Sequence, residues 1–185
     1  MNNYIISSIF VLNLFSSPKS NKGFTLIELL VVMIFIGVLS AVSLPIFFQQ
    51  ANRARQTEAE IALGAINRAQ QTHRLNSPSF GTLQQIAEAG NISFDIDGAG
   101  NINTAYYQFI PIVQNAAVAQ VDANALIAFT SDLSDYQSAV FQNTNDGSFN
   151  TIMCRGLTPA DDTPIANADP ASAATACTGN SELVR

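Results

Sequence analysis

The sequence predicts an α+β protein in which one long N-terminal helix packs against an antiparallel β-sheet head. Three observations lead to this fold class. A dense apolar run begins at Phe24, a more polar helical segment continues it to Asn76, and short β-prone runs separated by polar turns follow Ser79. A chain of 185 residues can form one compact domain with an appendage, but not two full domains. We therefore expect a helical appendage that continues into a single head.

Residues 1–23 are predicted to be a leader that is removed during maturation. They contain an apolar stretch, Tyr4 to Phe15, but no small-x-small cleavage site of an ordinary secretory signal follows it. They also hold Lys19 and Lys22, two of the eight basic residues, whereas all fourteen acidic residues lie later in the chain. Removal would leave six basic and fourteen acidic residues, a net charge of −8. So acidic a product argues against strong, charge-driven binding of nucleic acid.

Residues 24–50 are predicted to be the membrane-spanning half of the helix. Phe24 to Leu44 covers 21 residues, and Glu28 is the only ionisable side chain among them. A helix of that length measures roughly 32 Å, enough to cross the hydrocarbon layer. The positive-inside tendency keeps the preceding Lys19 and Lys22 in the cytoplasm and sends the rest of the chain outward. A charged carboxylate at the centre of a bilayer costs at least ~2.5 kcal/mol, so Glu28 is expected to have a specific task.

A helix break is predicted at the end of this span. Pro45 has no amide hydrogen and clashes with the carbonyl group four residues earlier, so we expect a kink or a break there. Gly37 weakens the same stretch because glycine is a poor helix former. We expect the isolated subunit to stay helical between these two residues, apart from a kink.

The amphipathic half of the helix is predicted to open an extracytoplasmic head that comprises residues 51–185. It should end at Asn76, because Ser77 precedes Pro78 and the residue before a proline disfavours helical angles. Small or apolar residues recur in steps of three, four or seven and are expected to form the packed stripe: Ala51, Ala54, Ile61, Ala65, Ala69 and Thr72.

The rest of the head is predicted to be a short helix followed by an antiparallel meander. Thr82 to Gln85 has the pattern of a capping box, and its helix should stop at Gly90. Asn145 to Ser148 is typical of a hairpin turn, and the final thirty residues are expected to be loop. The predicted strands are Tyr106–Val113, Ala117–Val121, Leu126–Thr130, Ser138–Phe141 and Phe149–Met153.

The two cysteines, Cys154 and Cys177, are expected to form a disulfide bond in this tail. In an oxidising compartment the bond would close a loop of about 23 residues and contribute roughly 3 kcal/mol in the chain-entropy model. Two unpaired thiols are the alternative interpretation. A metal site is disfavoured because no histidine or second cysteine pair lies nearby in the sequence. We also find no nucleophile elbow, phosphate loop or ligand cluster, and therefore expect neither an enzyme nor a cofactor.

The stretch Lys22-Gly23-Phe24-Thr25-Leu26-Ile27-Glu28-Leu29-Leu30 closely resembles the N-terminal signature of type IV pilins, and within that family the "a" class. The resemblance extends to about Ala69. It implies a type IV pilin-like fold with a C-terminal disulfide loop. It also implies that a prepilin peptidase cuts between Gly23 and Phe24 and methylates the new amine of Phe24. The precursor would be a single-pass protein of the inner membrane, and the product would lie in an extracellular pilus.

In this interpretation the chain is the structural subunit of a helical homopolymer used for motility, adhesion or DNA uptake. Its partners would be copies of itself, the peptidase and methyltransferase, the assembly platform, minor pilins and, for the precursor, the membrane. Glu28 would receive the Phe24 ammonium of a neighbouring subunit and so set the axial register. In filaments of this family the segment that matches Gly37 to Pro45 often extends, and we expect the same here.

Two alternatives remain open from the sequence. A minor pilin or a type II secretion pseudopilin would use the same mechanism, although the length of the head and the cysteine pair favour a pilus subunit. A membrane-tethered binding module that never polymerises belongs to a different functional class.

Overall fold

The computed structural model describes residues 23–159, 165–169 and 174–184 of the chain. The predicted leader, apart from Gly23, lies outside the described residues. The chain divides into two compact units, the first ending at Ser43 and the second beginning at Leu44. The second unit contains the whole β-sheet and is the predicted head together with the helical turns that lead into it.

Helix α1 runs from Leu26 to Asn76 and is the longest element of the fold, with 51 residues. It is the one described helix that is long and apolar enough to cross a membrane. It ends where the sequence predicted. Gly37 and Pro45 both lie within its bounds, so the subunit has no break in helical structure there. Of the two outcomes expected at Pro45, a kink or a break, the break is excluded for the subunit.

The head is built around an antiparallel sheet. Its described strands are β1 Ile102–Asn103, β2 Tyr107–Gln114, β3 Val118–Ala125, β4 Tyr136–Gln142, β5 Phe149–Gly156, β6 Ile165–Asp169, β7 Ala174–Thr178 and β8 Ser181–Leu183. Six of them form one sheet in the order β1-β2-β3-β4-β5-β8, and β6 and β7 form a separate hairpin. Helix α2, Leu83–Glu88, precedes the sheet and begins with the predicted capping box on Thr82. The predicted hairpin turn joins β4 to β5.

The predicted strand Leu126–Thr130 is wrong. The chain forms a 3₁₀ turn there, Ile127–Phe129, in which the Phe129 amide donates to the Leu126 carbonyl oxygen at 2.7 Å. Strand β3 already ends at Ala125, and the following residues connect it back to β4. A short apolar run has no periodicity that distinguishes a strand from a packed turn.

The inner face of the sheet packs on one face of α1 that coincides only in part with the predicted stripe: Ala69 is buried, and Ala51 and Ala65 are half-buried. Ala54, Ile61 and Thr72 are exposed, with 66% of Ile61 accessible. The sheet instead covers a neighbouring face with the same helical spacing that contains larger side chains, and burying these removes more apolar surface from water. The helix residues buried in this core are Ala59, Ala62, Leu63, Ile66 and Ala69, which lie against Tyr107, Phe109, Val121, Ala123 and Tyr136.

A fully buried glutamine ties the end of α1 to the loop before α2. Gln70 Nε2 donates to the Gly81 carbonyl oxygen at 2.7 Å, and the Gly81 amide donates to Gln70 Oε1 at 3.0 Å. The His73 ring lies 3.0 Å from the point where a β-carbon on residue 81 would be. A larger residue at position 81 would press on the His73 ring, and the single side chain of Gln70 satisfies both backbone groups of Gly81.

Replacing Gln70 with leucine is expected to destabilise the head. Both polar groups of Gly81 would lose their partner, and an unsatisfied buried group costs ~1–3 kcal/mol, so we expect a loss of about 2–4 kcal/mol. Denaturant unfolding of the detergent-solubilised full chain measures it. Gln71→Leu, at the adjacent half-buried position, is the control, and an equal loss in both variants would contradict this role for Gln70.

The outer face of the sheet is covered by the β6–β7 hairpin, so the prediction that the tail is loop is wrong. Ala166 of β6 is held by two side chains of the sheet: Gln120 Nε2 donates to its carbonyl oxygen at 3.0 Å, and its amide donates to Gln137 Oε1 at 2.5 Å. Cys154 and Cys177 form the predicted disulfide, with their Cα atoms 5.6 Å apart. The alanine-rich tail adds strands because these contacts supply an anchorage that its composition does not reveal.

A buried carboxyl group under the hairpin should make stability depend on pH. Burial raises the pKa of Asp122, although a hydrogen bond from Gln137 opposes the shift. The folded state then binds the proton more tightly than the unfolded chain, whose pKa is ~3.9. The free energy of unfolding should therefore rise as the pH falls from neutral towards ~4.

Asp122→Asn is expected to raise stability at neutral pH and to flatten this profile. Part of the increase in stability on acidification should remain in this variant, because burial also raises the pKa of Asp135. Unfolding of the full chain between pH 4 and pH 7 is the measurement. Asp95→Asn removes the same charge from an exposed position and is the control. A profile for Asp122→Asn that coincides with that of the parent chain would refute the prediction.

Candidate functional site

A reciprocal capping box opens α1 and fixes the Glu28 carboxylate. The Thr25 amide and hydroxyl groups both donate to Glu28 Oε2, at 2.8 and 2.9 Å, and the Glu28 amide donates to Thr25 Oγ1 at 3.3 Å. A threonine before the first helical residue and a glutamate three positions later is the pattern that satisfies free amides at a helix start. The site prediction missed Thr25, although this Thr-x-x-Glu spacing in the sequence could have identified it.

Glu28 lies on the surface, and apart from Thr25 its neighbours are apolar. With Phe24, Ile27, Val31 and Val32 it lines a shallow depression of about 360 Å³. No described residue offers a cation to its carboxylate, which accepts hydrogen bonds from Thr25 alone. The arrangement leaves Glu28 able to receive a cation from another molecule.

The first half of α1 is exposed in the part of the chain that the structure describes. Every residue from Gly23 to Gln50 is exposed, and the exposed fraction of the large apolar side chains ranges from 41% at Val31 to 89% at Leu26. Isolated exposed apolar residues are common, but a continuous exposed surface of this size indicates a lipid or protein partner.

The other predicted site residues lie apart from the Thr25–Glu28 pair. Gly23 and Phe24 are exposed and precede α1, as a cleavage and modification site requires. Gly37 is one of the exposed residues of the first unit, and Pro45 lies in the first turns of the second unit. The disulfide Cys154–Cys177 belongs to the outer face of the sheet and serves the fold.

The head contains a polar groove of about 830 Å³. Arg53, Asp132 and Arg155 line it, and Tyr136 donates to Glu60 Oε1 at 3.2 Å on one side. Arg155 is paired with Glu182. Burial raises the pKa of Tyr136 far above its usual range, so this phenol stays protonated and acts as a donor. The groove was not predicted from the sequence.

The described residues contain no group of three or more histidine, cysteine, aspartate or glutamate side chains that could hold a metal ion. The disulfide accounts for both cysteines. The described site is therefore an exposed apolar surface with one oriented carboxylate, an arrangement suited to association.

Two families match the chain over complementary parts. Residues 56–178, more than half of the chain, match the family described as Type IV pilin-like G and H. Residues 18–44 match the prokaryotic N-terminal methylation motif, a range that includes Glu28 and residues 26–44 of α1. No solved structure matches the chain.

Curated relatives match the chain over different shares of its length. The type IV major pilin protein PilA of Myxococcus xanthus is 44% identical over 52 residues, 28% of this chain and 24% of the relative. The type II secretion system core protein G of Pseudomonas aeruginosa is 32% identical over 71 residues, 38% and 50% of the two chains. The chain thus spans half or less of these two relatives. A fimbrial protein of Neisseria meningitidis is similar over 85% of this chain and 86% of its own length, at 27% identity.

Proposed function

Because the chain belongs to the type IV pilin-like G and H family, we propose that it is the structural subunit of a type IV pilus. The observation that carries the proposal is the exposed apolar half of α1 with the Glu28 carboxylate near its start. A surface of that kind needs lipid before assembly and other subunits after it. The role is structural, and the proposal assigns no catalysis to the chain.

Maturation is proposed to create the partner of Glu28. Cleavage after Gly23 would leave an α-ammonium group on Phe24, and methylation would keep its positive charge. Glycine suits the cleavage position because its backbone can extend into a protease cleft without a side chain. The partners in these steps would be a prepilin peptidase and its methyltransferase activity, acting on the cytoplasmic side of the inner membrane.

Assembly is proposed to join the Phe24 ammonium of one subunit to the Glu28 carboxylate of the next. An unpaired charge in an apolar environment is heavily penalised, so the pair would select one axial register. Apolar contacts would supply most of the cohesion, at ~1.5–3 kcal/mol for each well-buried side chain. The residues proposed to make them are Leu26, Leu29, Val32, Phe35, Ile36 and Leu39, all exposed in the subunit.

The proposal is tested by shearing fibres from the cell surface and identifying their most abundant protein by mass. The expected result is this chain, beginning at Phe24 and carrying one methyl group. Trace amounts in fibres made of another pilin would support a minor pilin, and a short periplasmic fibre would support a pseudopilin, which the match to secretion protein G makes a specific second candidate. Recovery only from detergent-extracted membranes would contradict polymerisation and favour a tethered module.

The segment from Gly37 to Pro45 is expected to lose its helical structure in the fibre. Proline removes one helical hydrogen bond, and glycine makes the helical state less favourable in free energy. Extending this segment should therefore cost little free energy. In the subunit the segment is helical, and the Ser43 hydroxyl donates to the Leu39 carbonyl oxygen at 2.6 Å. The measurement is the density of the assembled fibre. An unbroken helix through Ser43 would contradict this prediction.

A further inference from the structure

The loop between β3 and β4, residues 126–135, lies beside the first turns of α1 in the head, and we name it the base loop. The guanidinium carbon of Arg55 lies 5.5 Å from the centroid of the Phe129 ring in this loop. Asp132, also in the loop, lines the same groove as Gln49 and Arg53 of α1. The base loop is thus placed at the level of helix residues 49 to 55.

The base loop presents an uncovered apolar tip. Ile127 is 95% exposed, the most exposed large hydrophobic residue described in the structure. The tip is held in place, because Leu133 of the same loop is fully buried and its amide donates to the Phe129 carbonyl oxygen at 3.0 Å. Burying one large apolar side chain contributes ~1.5–3 kcal/mol, and the isolated subunit does not obtain this contribution from Ile127.

The tip lies near the level at which the apolar run of α1 ends. Ile46, Phe47 and Phe48 are the last large apolar residues of that run, and each is more than half exposed. Phe48 and Arg55 are seven residues apart, about 10 Å along a helix. The headgroup layer adds roughly 5–8 Å on each side of the hydrocarbon. A bilayer whose hydrocarbon ends near Phe48 therefore brings its headgroups to about the level of Arg53, which lines the groove with Asp132 of the base loop. The backbone of Arg55 lies just beyond that layer, within the reach of its long side chain.

The surroundings of the tip have the chemistry of a membrane interface. Arg55 lies over the Tyr106 ring as well as the Phe129 ring, with its guanidinium carbon 5.3 Å from the Tyr106 centroid. Aromatic rings are concentrated at the boundary between lipid and water, and long basic side chains extend from apolar surface to the headgroups. This cluster and the tip belong to one loop-helix contact, so they would meet the same surface.

We propose that Ile127 inserts into the outer boundary of the lipid bilayer while the subunit is held in the membrane, with Arg55 and its aromatic partners at the headgroups. The partner is a lipid surface, because the base loop adjoins helix residues 49 to 55, which directly follow the apolar run of the one described helix that is long and apolar enough to cross a membrane. The inference rests on the proposed function, which requires a membrane-anchored precursor. The head would then have a second attachment to the bilayer besides its helix.

The chain contains no tryptophan, so one introduced tryptophan reports its own position. The experiment uses the full chain in phosphatidylcholine vesicles, with and without bromine on the acyl chains, and three variants. Ile127→Trp tests the tip. Phe47→Trp tests whether the helix is inserted, and Leu75→Trp, at another exposed apolar position near the far end of α1, is the matched control. All three replaced side chains are exposed, so the fold is not expected to change.

The expected result is a loss of emission by brominated lipid at positions 127 and 47, with a blue-shifted spectrum at 127, and neither effect at position 75. Quenching at 47 without quenching at 127 would overturn the inference and leave the membrane-anchored precursor intact. A blue shift at 127 without quenching would also overturn it, because the tip would then be covered by a second copy of the chain. Absence of quenching at 47 would overturn membrane insertion itself, and the inference with it.

Discussion

Glu28→Ala is expected to abolish surface fibres while leaving the head folded. The variant would bury the Phe24 ammonium of each subunit without its partner, and leaving one member of a buried pair alone costs about 3–5 kcal/mol. That corresponds to roughly a 100-fold or greater loss in the equilibrium for adding one subunit. The carboxylate is exposed, and among the described residues only Thr25 donates hydrogen bonds to it, so the described fold does not depend on it beyond the helix cap. The yield of sheared fibre protein is the measurement.

The control for this variant is Glu88→Ala, which removes the same charge from an exposed position on α2. It should leave fibre yield unchanged. Cleavage after Gly23 must be followed separately by the mass of the membrane-held protein, so that failed processing is not mistaken for failed assembly. Fibres of normal amount and length from correctly processed Glu28→Ala protein would end the register hypothesis.

Removing the disulfide is expected to give the largest loss of head stability. Cys154 is fully buried, and its bond to Cys177 joins β5 to the hairpin across a sequence separation of 23. Opening a loop of that size costs roughly 3 kcal/mol in the chain-entropy model, and loss of native disulfides commonly costs 2–5 kcal/mol. We therefore expect the Cys154→Ala, Cys177→Ala double variant to unfold at a clearly lower denaturant concentration.

The parent chain under reducing conditions provides the matched control, because it loses the bond without a change of side chain. Its unfolding midpoint should move close to that of the double variant. Hydrogen exchange adds a local measure, since the Ala166 amide is protected by Gln137 and should exchange faster when the hairpin loosens. An unchanged midpoint in the double variant would show that side-chain contacts alone hold the hairpin.

Local signals in the sequence were sufficient for much of the fold. The long apolar run, the proline after Ser77, the capping box at Thr82 and the hairpin turn at Asn145–Ser148 each depend on a few neighbouring residues, and the structure agrees with all four predictions. The cysteine pairing was also predicted correctly, because the chain offers only two cysteines.

The errors arose where tertiary contacts choose between local options. The spacing of α1 fits two faces, and only the sheet decides that Leu63 is buried and Ile61 is exposed. The tail has the composition of a loop, yet Gln120 and Gln137 hydrogen-bond to the backbone of Ala166 in the tail. Both glutamines lie on strands that are far from the tail in sequence. Such partners lie tens of residues apart, beyond the reach of propensity and periodicity.

The sequence identified residues of the candidate site but not how they are arranged. The Gly23–Phe24 junction and Glu28 followed from the sequence, and their roles in processing and assembly stay predictions. The structure adds that Thr25 orients the Glu28 carboxylate, and that the apolar surface around it is uncovered in the subunit. Whether that surface meets lipid or protein depends on molecules outside the chain.

The central claim is that copies of this chain associate through the apolar half of α1, with Phe24 of one copy paired to Glu28 of another. A density map of the assembled fibre at side-chain resolution tests it most directly. The account predicts that these helices are buried among one another and that the Phe24 nitrogen lies within salt-bridge distance of a neighbouring Glu28 carboxylate. A fibre in which Glu28 faces solvent, or in which the apolar halves of α1 do not touch, would contradict it.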